Sequence, residues 1–279
     1  MLLSIHPTAI VAPGARLGEG VEIGPYAVIG ETVTLGDHVS VGPNVVLTGR
    51  TTIGAGSRLH PGVVVGEPPQ DFSYRGEDVS VEIGERCILR EHVTVHAGTA
   101  RGHARTVVGN DCFFMVGVHV GHDCIVGNSV TLSNNVLLAG HTSLGDYVLI
   151  GGGAAIVQRV RIGAYAFISG LSGVTKDVVP FAYVIGHRGR LDSLNLVGLK
   201  RRGFDRTQIR TLLDAYAILF AEEGLFRDRL DRLRAEMGEE ALVKEILAFI
   251  DAGRNRPLLQ PLGKHDHIAD DPDLLEAGV

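Results

Sequence analysis

The sequence contains no tryptophan, and aromatic residues make up only 5% of its 279 residues. Aromatic side chains supply much of the buried area of an ordinary layered core, so a core of that kind is not expected. Glycine, by contrast, occurs 37 times, and 45% of the residues are hydrophobic. That hydrophobic content is ample for a sizeable core. The composition therefore favours a fold filled by small aliphatic side chains and turned often by residues that accept unusual backbone angles.

Other absences limit the function classes and the partners. The formal net charge is −6, whereas nucleic-acid-binding domains usually carry a basic excess, so no nucleic acid is expected as a partner. The three cysteines, Cys87, Cys112 and Cys124, show no CxxC spacing, which argues against a disulfide framework. The N-terminus lacks the pattern of a signal peptide, and the longest apolar run, Val148–Val157, is broken by glycine. We therefore expect a reduced, cytoplasmic protein without an integral membrane segment.

A six-residue repeat dominates the sequence. An apolar residue recurs at every sixth position, a small residue often follows it, and Ala or Val usually stands four places after it. The first run of this repeat comprises Ile5, Val11, Leu17, Ile23, Ile29, Leu35, Val41, Leu47, Ile53, Leu59 and Val65, and the same phase resumes at Ile83, Leu89 and Val95. The phase then slips by one residue, and the second run comprises Val108, Phe114, Val120, Val126, Leu132, Leu138, Leu144, Ile150, Ile156, Ile162, Ile168 and Val174.

This repeat predicts a solenoid of short parallel strands. Two inward-facing residues in each hexad, with a small residue at the corner, indicate a flat strand followed by a bend. Three such strands close a triangular coil of 18 residues, and successive coils stack at about 4.8 Å, the ordinary spacing between paired strands. A helical period of 3.6 does not fit these positions. The hexads therefore predict an all-β solenoid over residues 1–188.

Two segments interrupt the repeat, and we expect both to be loops on one face of the solenoid. They are Gly66–Glu82, which contains two prolines, and Ala100–Val107, which coincides with the phase slip. Insertions in a solenoid usually form loops on one face, which is often the binding face.

The sequence beyond the hexads predicts a helical domain over residues 189–262 and a flexible tail over residues 263–279. A basic connector, GRLDSLNLVGLKRRGFDR, comes first. Apolar residues at helical spacing then predict three helices, Thr207–Ala221, Leu225–Met237 and Glu240–Ala252. Thr207 is the expected N-cap, and Gly224 and Gly238 are the expected helix stops.

Histidines concentrate in one part of the repeat. His122 lies two places into the hexad that starts at Val120, and His141 lies three places into the hexad that starts at Leu138. These hexads are 18 residues apart, so the two side chains belong to neighbouring coils on one face and point out of the coil. His119 and His96 fall in the same region of the sequence.

This cluster suits general base catalysis. An imidazole titrates near neutral pH, and the adjacent Asp123 could orient His122 and stabilise its protonated form. Gly140 could offer a bare backbone N–H to a developing oxyanion. The alternative is that the histidines are solvated or make structural contacts between subunits, but titratable groups clustered on one face favour a site.

Two further patterns leave alternatives open. Outward histidines on a β-helix could hold zinc, as in carbonic anhydrases built on such a solenoid, but the spacing of His119 and His122 is three rather than five residues, so no metal is predicted. The run Lys200-Arg201-Arg202, with Arg206 and Arg210 following, is either a solvated helix approach or an anion clamp for phosphate groups.

Several segments together resemble one family, the UDP-N-acetylglucosamine O-acyltransferases of lipid A biosynthesis. They are HPTAIVAPGA, GEPPQDFSYRGE, REHVTVHAGT, FFMVGVHVGHDCIVGN, LLAGHTSLGDYVLIGG and NLVGLKRRGF, which run from His6 to Phe204. The resemblance implies that the solenoid is a left-handed parallel β-helix followed by a C-terminal helical domain. It also implies a cytoplasmic homotrimer whose active sites lie between subunits, with acyl carrier protein as donor, a UDP-amino sugar as acceptor and no cofactor.

The resemblance also implies a role for each matching residue. His122 would deprotonate the sugar 3-hydroxyl (or amine), Asp123 would orient it, and the Gly140 N–H would stabilise the oxyanion. Gly170 falls where the family tunes acyl chain length. The sugar nucleotide or the pantetheine arm would be bound by Asp71, His96, His119, His141, Gln158, Asn195, Arg201 and Arg202.

Three positions depart from the family pattern. Ser73 stands where a lysine is usual, Val157 replaces a histidine commonly found before the residue that matches Gln158, and Gly186–Gly189 differs from the usual segment. They leave open the acyl length and whether the acceptor is a 3-hydroxyl or a 3-amino sugar. The rival classes are a hexapeptide transferase that uses a CoA thioester, a zinc lyase and a non-catalytic scaffold.

Overall fold

The chain is seen in a computed structural model that describes residues 4–253 and 256–261. Short strands, numbered β1 to β28 in chain order, form three sheets that are the faces of a prism, called faces A, B and C here. Each coil contributes one strand to each face in the order A, B, C, except where loops interrupt it. This arrangement confirms the predicted solenoid.

Most strands contain two residues, and those of face C lengthen beside the insertions. Face A comprises β1 Ser4–Ile5, β4 Glu22–Ile23, β7 Ser40–Val41, β10 Arg58–Leu59, β13 Ile88–Leu89, β16 Phe113–Phe114, β19 Thr131–Leu132, β22 Leu149–Ile150, β25 Phe167–Ile168, β27 Ala182–Ile185 and β28 Arg190–Leu194. Face B comprises β2 Ile10–Val11, β5 Val28–Ile29, β8 Val46–Leu47, β11 Val64–Val65, β14 Thr94–Val95, β17 His119–Val120, β20 Leu137–Leu138, β23 Ala155–Ile156 and β26 Gly173–Val174. Face C comprises β3 Arg16–Leu17, β6 Thr34–Leu35, β9 Arg50–Ile53, β12 Ser80–Ile83, β15 Arg105–Val108, β18 Ile125–Val126, β21 Ser143–Leu144 and β24 Arg161–Ile162.

The strand register explains both the hexad phase and its slip. Ile5 pairs with Ile23, 18 residues later, as the predicted coil requires. Across the first insertion Leu59 pairs with Leu89, so this coil has 12 extra residues, which is two hexads and preserves the phase. Across the second insertion Leu89 pairs with Phe114, which leaves seven extra residues and shifts the phase by one.

Both loops are shorter than the sequence indicated. The first was expected to reach Glu82, but Ser80–Ile83 is strand β12. The second was expected over Ala100–Val107, but Arg105–Val108 is strand β15. Parallel pairing of these strands from Ser80↔Arg105 to Ile83↔Val108 accounts for the difference, because it satisfies backbone groups that a loop would leave unpaired.

The core consists of the inward residues of successive coils stacked on one another. Ile29, Leu47, Leu132 and Ile150 are among the fully buried side chains, and Phe114 fills one level with an aromatic ring. Each level is packed above and below by the same kind of side chain, so the buried area grows evenly with the number of coils. This explains how a chain poor in aromatic residues forms a continuous core.

The solenoid ends in a hairpin, and helices follow it. Strands β27 and β28 pair antiparallel, so the sheet of face A extends beyond residue 188. The helices are α1 Leu196–Arg201, α2 Arg206–Leu219, α3 Phe226–Met237 and α4 Ala241–Ala252. The three predicted helices are present, whereas α1 was missed because its six residues lie in the basic connector. The domain limits at residues 188 and 262 remain predictions, and the predicted tail, 263–279, lies outside the described residues.

Two of the expected helix signals were wrong. Asp205, not Thr207, is the N-cap of α2: its side chain accepts from the Gln208 N–H at 2.8 Å, and Gln208 reciprocates in a capping box. Helix α2 ends at Leu219, five residues before Gly224, which has a φ of 82° in the loop before α3. Gly238 is the C-cap of α3, as predicted.

Candidate active site

Most of the predicted site residues lie along one edge of the prism, where strands of face B turn into strands of face C. We call this the B–C edge. Both insertions leave the solenoid here, since β11 and β14 belong to face B and β12 and β15 to face C. The edge carries His96, His122, Gly140, His141 and Gln158 on successive coils, while His119 lies beside it on β17. The expectation that the insertions mark the working face is consistent with this placement.

His122 and Asp123 form a closely packed pair. The His122 Nδ1 lies 2.9 Å from the Asp123 Oδ2, and the two residues are 7% and 0% exposed, respectively. Asp123 has a φ of 59°, the left-handed conformation of a solenoid corner. This conformation, uncommon for a residue with a side chain, turns the carboxylate back against the preceding histidine. The pair is therefore outside the coil, as predicted, but is covered rather than solvated.

Hydrogen-bond donors surround the Asp123 carboxylate. It accepts the Thr99 N–H at 3.1 and 3.0 Å, the Thr99 hydroxyl at 2.7 Å and the His103 N–H at 2.7 Å. Burial alone would raise the pKa of Asp123, but the bonds from His122, Thr99 and His103 outweigh it and hold the pKa below its ordinary value. Asp123 is therefore a carboxylate at neutral pH, the charge state needed to stabilise a protonated His122.

His141 stacks against the pair from the next coil. Its ring is edge-on to that of His122, with centroids 5.0 Å apart, and its Nε2 lies 3.9 Å from the Asp123 Oδ2. Burial lowers the pKa of His141, partly offset by the charge of Asp123. His141 is thus biased toward the neutral form, which can donate or accept a hydrogen bond from a ligand.

His96 and His119 form a second pair beside the first, with ring centroids 5.3 Å apart. The His119 Nδ1 is 2.8 Å from the Thr94 hydroxyl, and the His96 Nδ1 is 2.8 Å from the Pro68 carbonyl in the first insertion. Burial, with His96 and His122 nearby, lowers the pKa of His119. Each ring is therefore fixed through Nδ1, which leaves Nε2 for a ligand.

Gly140 lies directly above the His122 ring. A Cβ atom at this position would stand 2.5 Å from both Cε1 and Nε2 of His122, closer than such contacts ever occur. Only glycine therefore fits here without moving the ring. Within the part of the chain that the structure describes, the Gly140 N–H donates no hydrogen bond, so it is free for a ligand oxygen.

These groups open into a cavity of about 420 Å³ on the B–C edge. Its walls are partly polar and partly aliphatic, because face B supplies outward apolar side chains beside the histidines. The lining comprises Gln70, His96, His119, Gly121, His122, Leu137, Leu138, Ala139, Gly140, Ala155, Ile156, Val157 and Gln158. Such a mixture can hold a polar ligand next to an apolar chain.

Comparison with known proteins decides the family. Residues 177–258 match the family described as "Udp N-acetylglucosamine O-acyltransferase; Domain 2", and residues 32–67 and 105–140 match "Bacterial transferase hexapeptide (six repeats)". The chain is 49% identical to the acyl-[acyl-carrier-protein]--UDP-N-acetylglucosamine O-acyltransferase of Caulobacter vibrioides, over 93% of this chain and 98% of that protein. It is 55% identical to the enzyme of that name from Methylobacterium radiotolerans, over 92% and 95%. The chain belongs to the UDP-N-acetylglucosamine O-acyltransferase family.

Solved structures of the family agree with the fold. The chain is similar to the UDP-N-acetylglucosamine acyltransferase from Campylobacter jejuni, with a TM-score of 0.86 and 36% identity over 94% of this chain and 100% of that one. The corresponding structure from Moraxella catarrhalis gives a TM-score of 0.88 at 32% identity, over 93% and 100%. The expected left-handed β-helix with a C-terminal helical domain is thereby confirmed.

The remaining predicted residues of this O-acyltransferase family member lie elsewhere in the chain. Asp71 is in the first insertion, where the Ser73 N–H donates to its carboxylate at 2.7 Å and lowers its pKa. Gly170 follows β25 of face A and precedes β26 of face B, so it lies on the A–B edge. Asn195 caps α1: its side chain accepts from the Gly198 N–H at 3.0 Å and donates to the Tyr165 carbonyl at 2.9 Å.

The two predicted arginines lie on the third edge. The Arg202 guanidinium stands 4.3 Å from the ring centre of Tyr147, which is in the turn from face C to face A. Arg201 is the last residue of α1 and is exposed. One copy of the chain therefore places the predicted residues on three different edges of the prism and brings together only those of the B–C edge.

Three neighbours of the site, Thr99, His103 and Thr106, were not predicted from the sequence. Thr99 and His103 donate to Asp123, and the Thr106 hydroxyl accepts the Asp123 N–H at 2.9 Å. The one signal that could have found them is the phase slip, which places an irregular loop opposite the histidines.

A metal could be held here only in competition with these bonds. Among the described residues, His122, Asp123 and His141 have ligand atoms within 4.8 Å of one another. The Asp123 oxygens, however, already accept four hydrogen bonds from Thr99 and His103. The arrangement suits an oriented base better than a metal ligand, since a metal would need those lone pairs.

Proposed function

We propose that the chain transfers an acyl group from acyl carrier protein to the 3-hydroxyl of UDP-N-acetylglucosamine, with a 3-hydroxyacyl group as the natural donor chain and His122 as the general base. The names and coverage of the relatives support the reaction and both substrates. The observation that carries the mechanism is the His122–Asp123 pair beneath Gly140, at the wall of a cavity large enough for a sugar.

The proposed chemistry follows from which atoms are already engaged. The His122 Nδ1 is bonded to Asp123, so Nε2 is left to take the proton of the sugar hydroxyl. The hydroxyl oxygen attacks the thioester carbonyl carbon, and the resulting oxyanion accepts the Gly140 N–H. Collapse of this intermediate breaks the C–S bond, and the proton returns from Nε2 to the departing thiolate. Asp123 stays ionised throughout, which stabilises the imidazolium.

The other B–C edge residues are proposed to bind substrate. His96 and His119 are fixed through Nδ1 and present Nε2 to the ligand, and Gln158 and His141 flank the base. An anionic Asp71 could accept sugar hydroxyl groups. The names of the relatives support UDP-N-acetylglucosamine over a 3-amino sugar as acceptor, and acyl carrier protein over CoA as donor.

We further propose that the working enzyme is a homotrimer with its sites between subunits. Gly170, Asn195, Arg201 and Arg202 lie on edges other than the one that carries His122. A neighbouring copy could bring one of its edges to the B–C edge, and three such identical contacts close a ring. Leu149 on face A and Leu171 on the A–B edge are 39% and 65% exposed, and burial of such side chains would favour the contact.

The basic end of α1 is proposed to contact the donor. Lys200 and Arg201 are exposed, and Arg202 is held against Tyr147. Together they offer a cationic surface to an acidic carrier protein or to a phosphate group. Of the two readings that the sequence left open, this placement next to the solenoid favours the anion clamp over a solvated run.

The test is transfer from 3-hydroxyacyl-acyl carrier protein to UDP-N-acetylglucosamine by the wild type and by His122→Ala. We expect product from the wild type and a loss of at least about a hundredfold in kcat in the variant, because one positioned base contributes about that much or more. Asp214→Ala, in an exposed ion pair on helix α2, is the control. Product only with the 3-amino sugar, or only with acyl-CoA, would refute the proposed substrates.

Subunit mixing tests the trimer. His122→Ala and Arg202→Ala subunits are each expected to be nearly inactive alone. If each site takes its base from one subunit and its arginine from another, refolding equal amounts together restores about a quarter of the sites, because each site then needs one subunit of each kind. No recovery in a preparation whose mass is that of a trimer would refute a shared site built from these two residues.

A further inference from the structure

The seven-residue insertion contains a segment, residues 98–104, that wraps the Asp123 carboxylate; we call it the cradle loop. We propose that Thr99 of the cradle loop is a positioning residue that acts on the base through Asp123. The inference rests on the proposed role of His122, and its test includes a measurement that does not depend on turnover.

Thr99 contacts the same oxygen that holds the histidine. Its hydroxyl donates to the Asp123 Oδ2 at 2.7 Å, and the His122 Nδ1 is 2.9 Å from that oxygen. The Thr99 N–H donates to both carboxylate oxygens, while the His103 N–H donates to Oδ1. Thr99 is 4% exposed, so water does not compete for these bonds. Thr99 thus makes three of the five hydrogen-bond contacts to the carboxylate.

The cradle loop is built around this contact. The Thr99 carbonyl accepts the N–H groups of Gly102 and Ala104, both at 3.0 Å, which folds the loop back over the carboxylate. A Cβ atom at Gly102 would stand 2.3 Å from the Asp123 Oδ1. The glycine is therefore required by the close approach of the carboxylate.

A donor on the carboxylate has two effects on the neighbouring imidazole. It fixes the oxygen toward which the Nδ1–H points, so the ring keeps the orientation that aims Nε2 at the substrate. It also disperses the negative charge, which weakens the stabilisation of a protonated base. Without the hydroxyl, the carboxylate should be both less well oriented and a stronger partner for the imidazolium.

Other titratable groups near the pair must be considered in any pH measurement. From the neighbouring coils and loops these are His119, His141, Asp71, His103, Arg101 and Arg159. None of them donates to the Asp123 Oδ2 at hydrogen-bond distance within the described residues. A change produced by removing one neutral hydroxyl therefore reports on Asp123 and His122 first.

The experiment compares Thr99→Val, which keeps the shape and removes the hydroxyl, with Thr99→Ser, which restores it. Thr99→Val is expected to lower kcat by about ten- to a hundredfold, the range for a hydrogen bond to a charged group, with the KM for the sugar nucleotide within about twofold. The acid limb of the pH profile of kcat/KM should move to higher pH. Thr99→Ser should recover both values. Thr51→Val removes an equally buried hydroxyl that donates to the Thr48 carbonyl and should change neither.

A spectroscopic readout separates this inference from the proposed reaction. The proton between His122 and Asp123 should give a low-field NMR resonance that is absent from His122→Ala. We expect Thr99→Val to shift or broaden it and Thr99→Ser to keep it, whether or not transfer is detected.

Three results would overturn the proposal. One is a Thr99→Val enzyme with unchanged kcat, and another is a loss of activity with the acid limb and the resonance both unmoved. The third is unfolding of both Thr99→Val and Thr99→Ala, because the hydroxyl would then serve the loop rather than the base.

Discussion

Gly140→Ala is the sharpest test of the geometry around the proposed base, since the three atoms nearest to the added methyl group all belong to the His122 ring. The nearest atoms to the added Cβ are Cε1 and Nε2 of His122, both at 2.5 Å, and Cδ2 at 3.0 Å. The ring must therefore retreat by about 0.9 Å to reach an ordinary contact of 3.4 Å. Because the bond to Asp123 fixes Nδ1, this retreat either tilts the ring or breaks that bond.

The expected effect follows from this displacement. A misplacement of about 1 Å in a reacting group can reduce a rate by about a hundredfold, so we expect kcat to fall by about that factor. If the backbone of residue 140 moves instead of the ring, the N–H that is the proposed oxyanion donor is displaced, and the rate falls for that reason. Steady-state transfer to UDP-N-acetylglucosamine measures kcat, and calorimetry measures whether the sugar nucleotide still binds within a few-fold of its wild-type affinity.

Gly30→Ala provides the control, because its added Cβ would meet the Leu47 carbonyl at 3.2 Å in a coil far along the chain from the site. It should leave kcat within about twofold, since neighbours there need to move by only a few tenths of an ångström. A folded Gly140→Ala variant with a kcat within about threefold of the wild type would show that transfer does not depend on the close approach of Gly140 to His122. The proposed oxyanion site would then lose its support.

Two further predictions concern stability, measured at one fixed protein concentration because assembly would contribute to it. Asp177 is fully buried and accepts hydrogen bonds from Arg161 Nε at 2.7 Å and Arg256 Nε at 3.1 Å. Asp177→Ala should lower the free energy of unfolding by about 3–5 kcal/mol, because the largely buried Arg161 loses its carboxylate partner. Asp214→Ala, in an exposed pair with Arg210, should lower it by less than about 1 kcal/mol. Equal losses in the two variants would contradict this account. The folded-state pKa of Asp123 lies below its ordinary value of 3.8, so its ionised carboxylate contributes fully to the free energy of unfolding above about pH 4, and this contribution is lost as the pH falls through the folded-state pKa. The difference in that free energy between wild type and Asp123→Asn should therefore narrow below about pH 4. A difference that stays constant down to about pH 3 would contradict the lowered pKa.

The solenoid could be predicted because every coil repeats the same six-residue pattern of apolar and small residues. A departure at one level, such as the aromatic Phe114 among aliphatic core residues, does not hide the period, because the levels above and below keep it. The strand register also follows from this period, as the pairing of Ile5 with Ile23 illustrates. Handedness could not be derived in this way, since the general rule for crossover connections favours the right hand, and the left hand was predicted from the resemblance alone.

The helical end was predicted less well because its signals are local and compete with each other. Thr207 and Asp205 are both good N-cap residues, but only Asp205 is followed three residues later by a glutamine that completes a capping box. Helix α1 has six residues, too few for a periodic pattern to stand out. Its N-cap, Asn195, was predicted as a substrate ligand, and its cap bonds show that a local structural role must be considered with the proposed one.

The candidate site contains residues on regular coils, which could be predicted, and residues in an insertion, which could not. His122, Gly140 and His141 could be placed together because the 18-residue coil converts sequence spacing into spatial proximity. Thr99 could not be placed in this way, since it lies in the insertion, where the 18-residue spacing between neighbouring coils no longer holds. The seven extra residues change the phase, and this loss of register frees a stretch of backbone to fold over Asp123 and donate to it. The irregularity that weakened the sequence pattern thus supplies the donors that hold the carboxylate beside the proposed base. In this solenoid, further positioning residues for the proposed base are best sought where the repeat is interrupted, next to polar side chains that the repeat aligns.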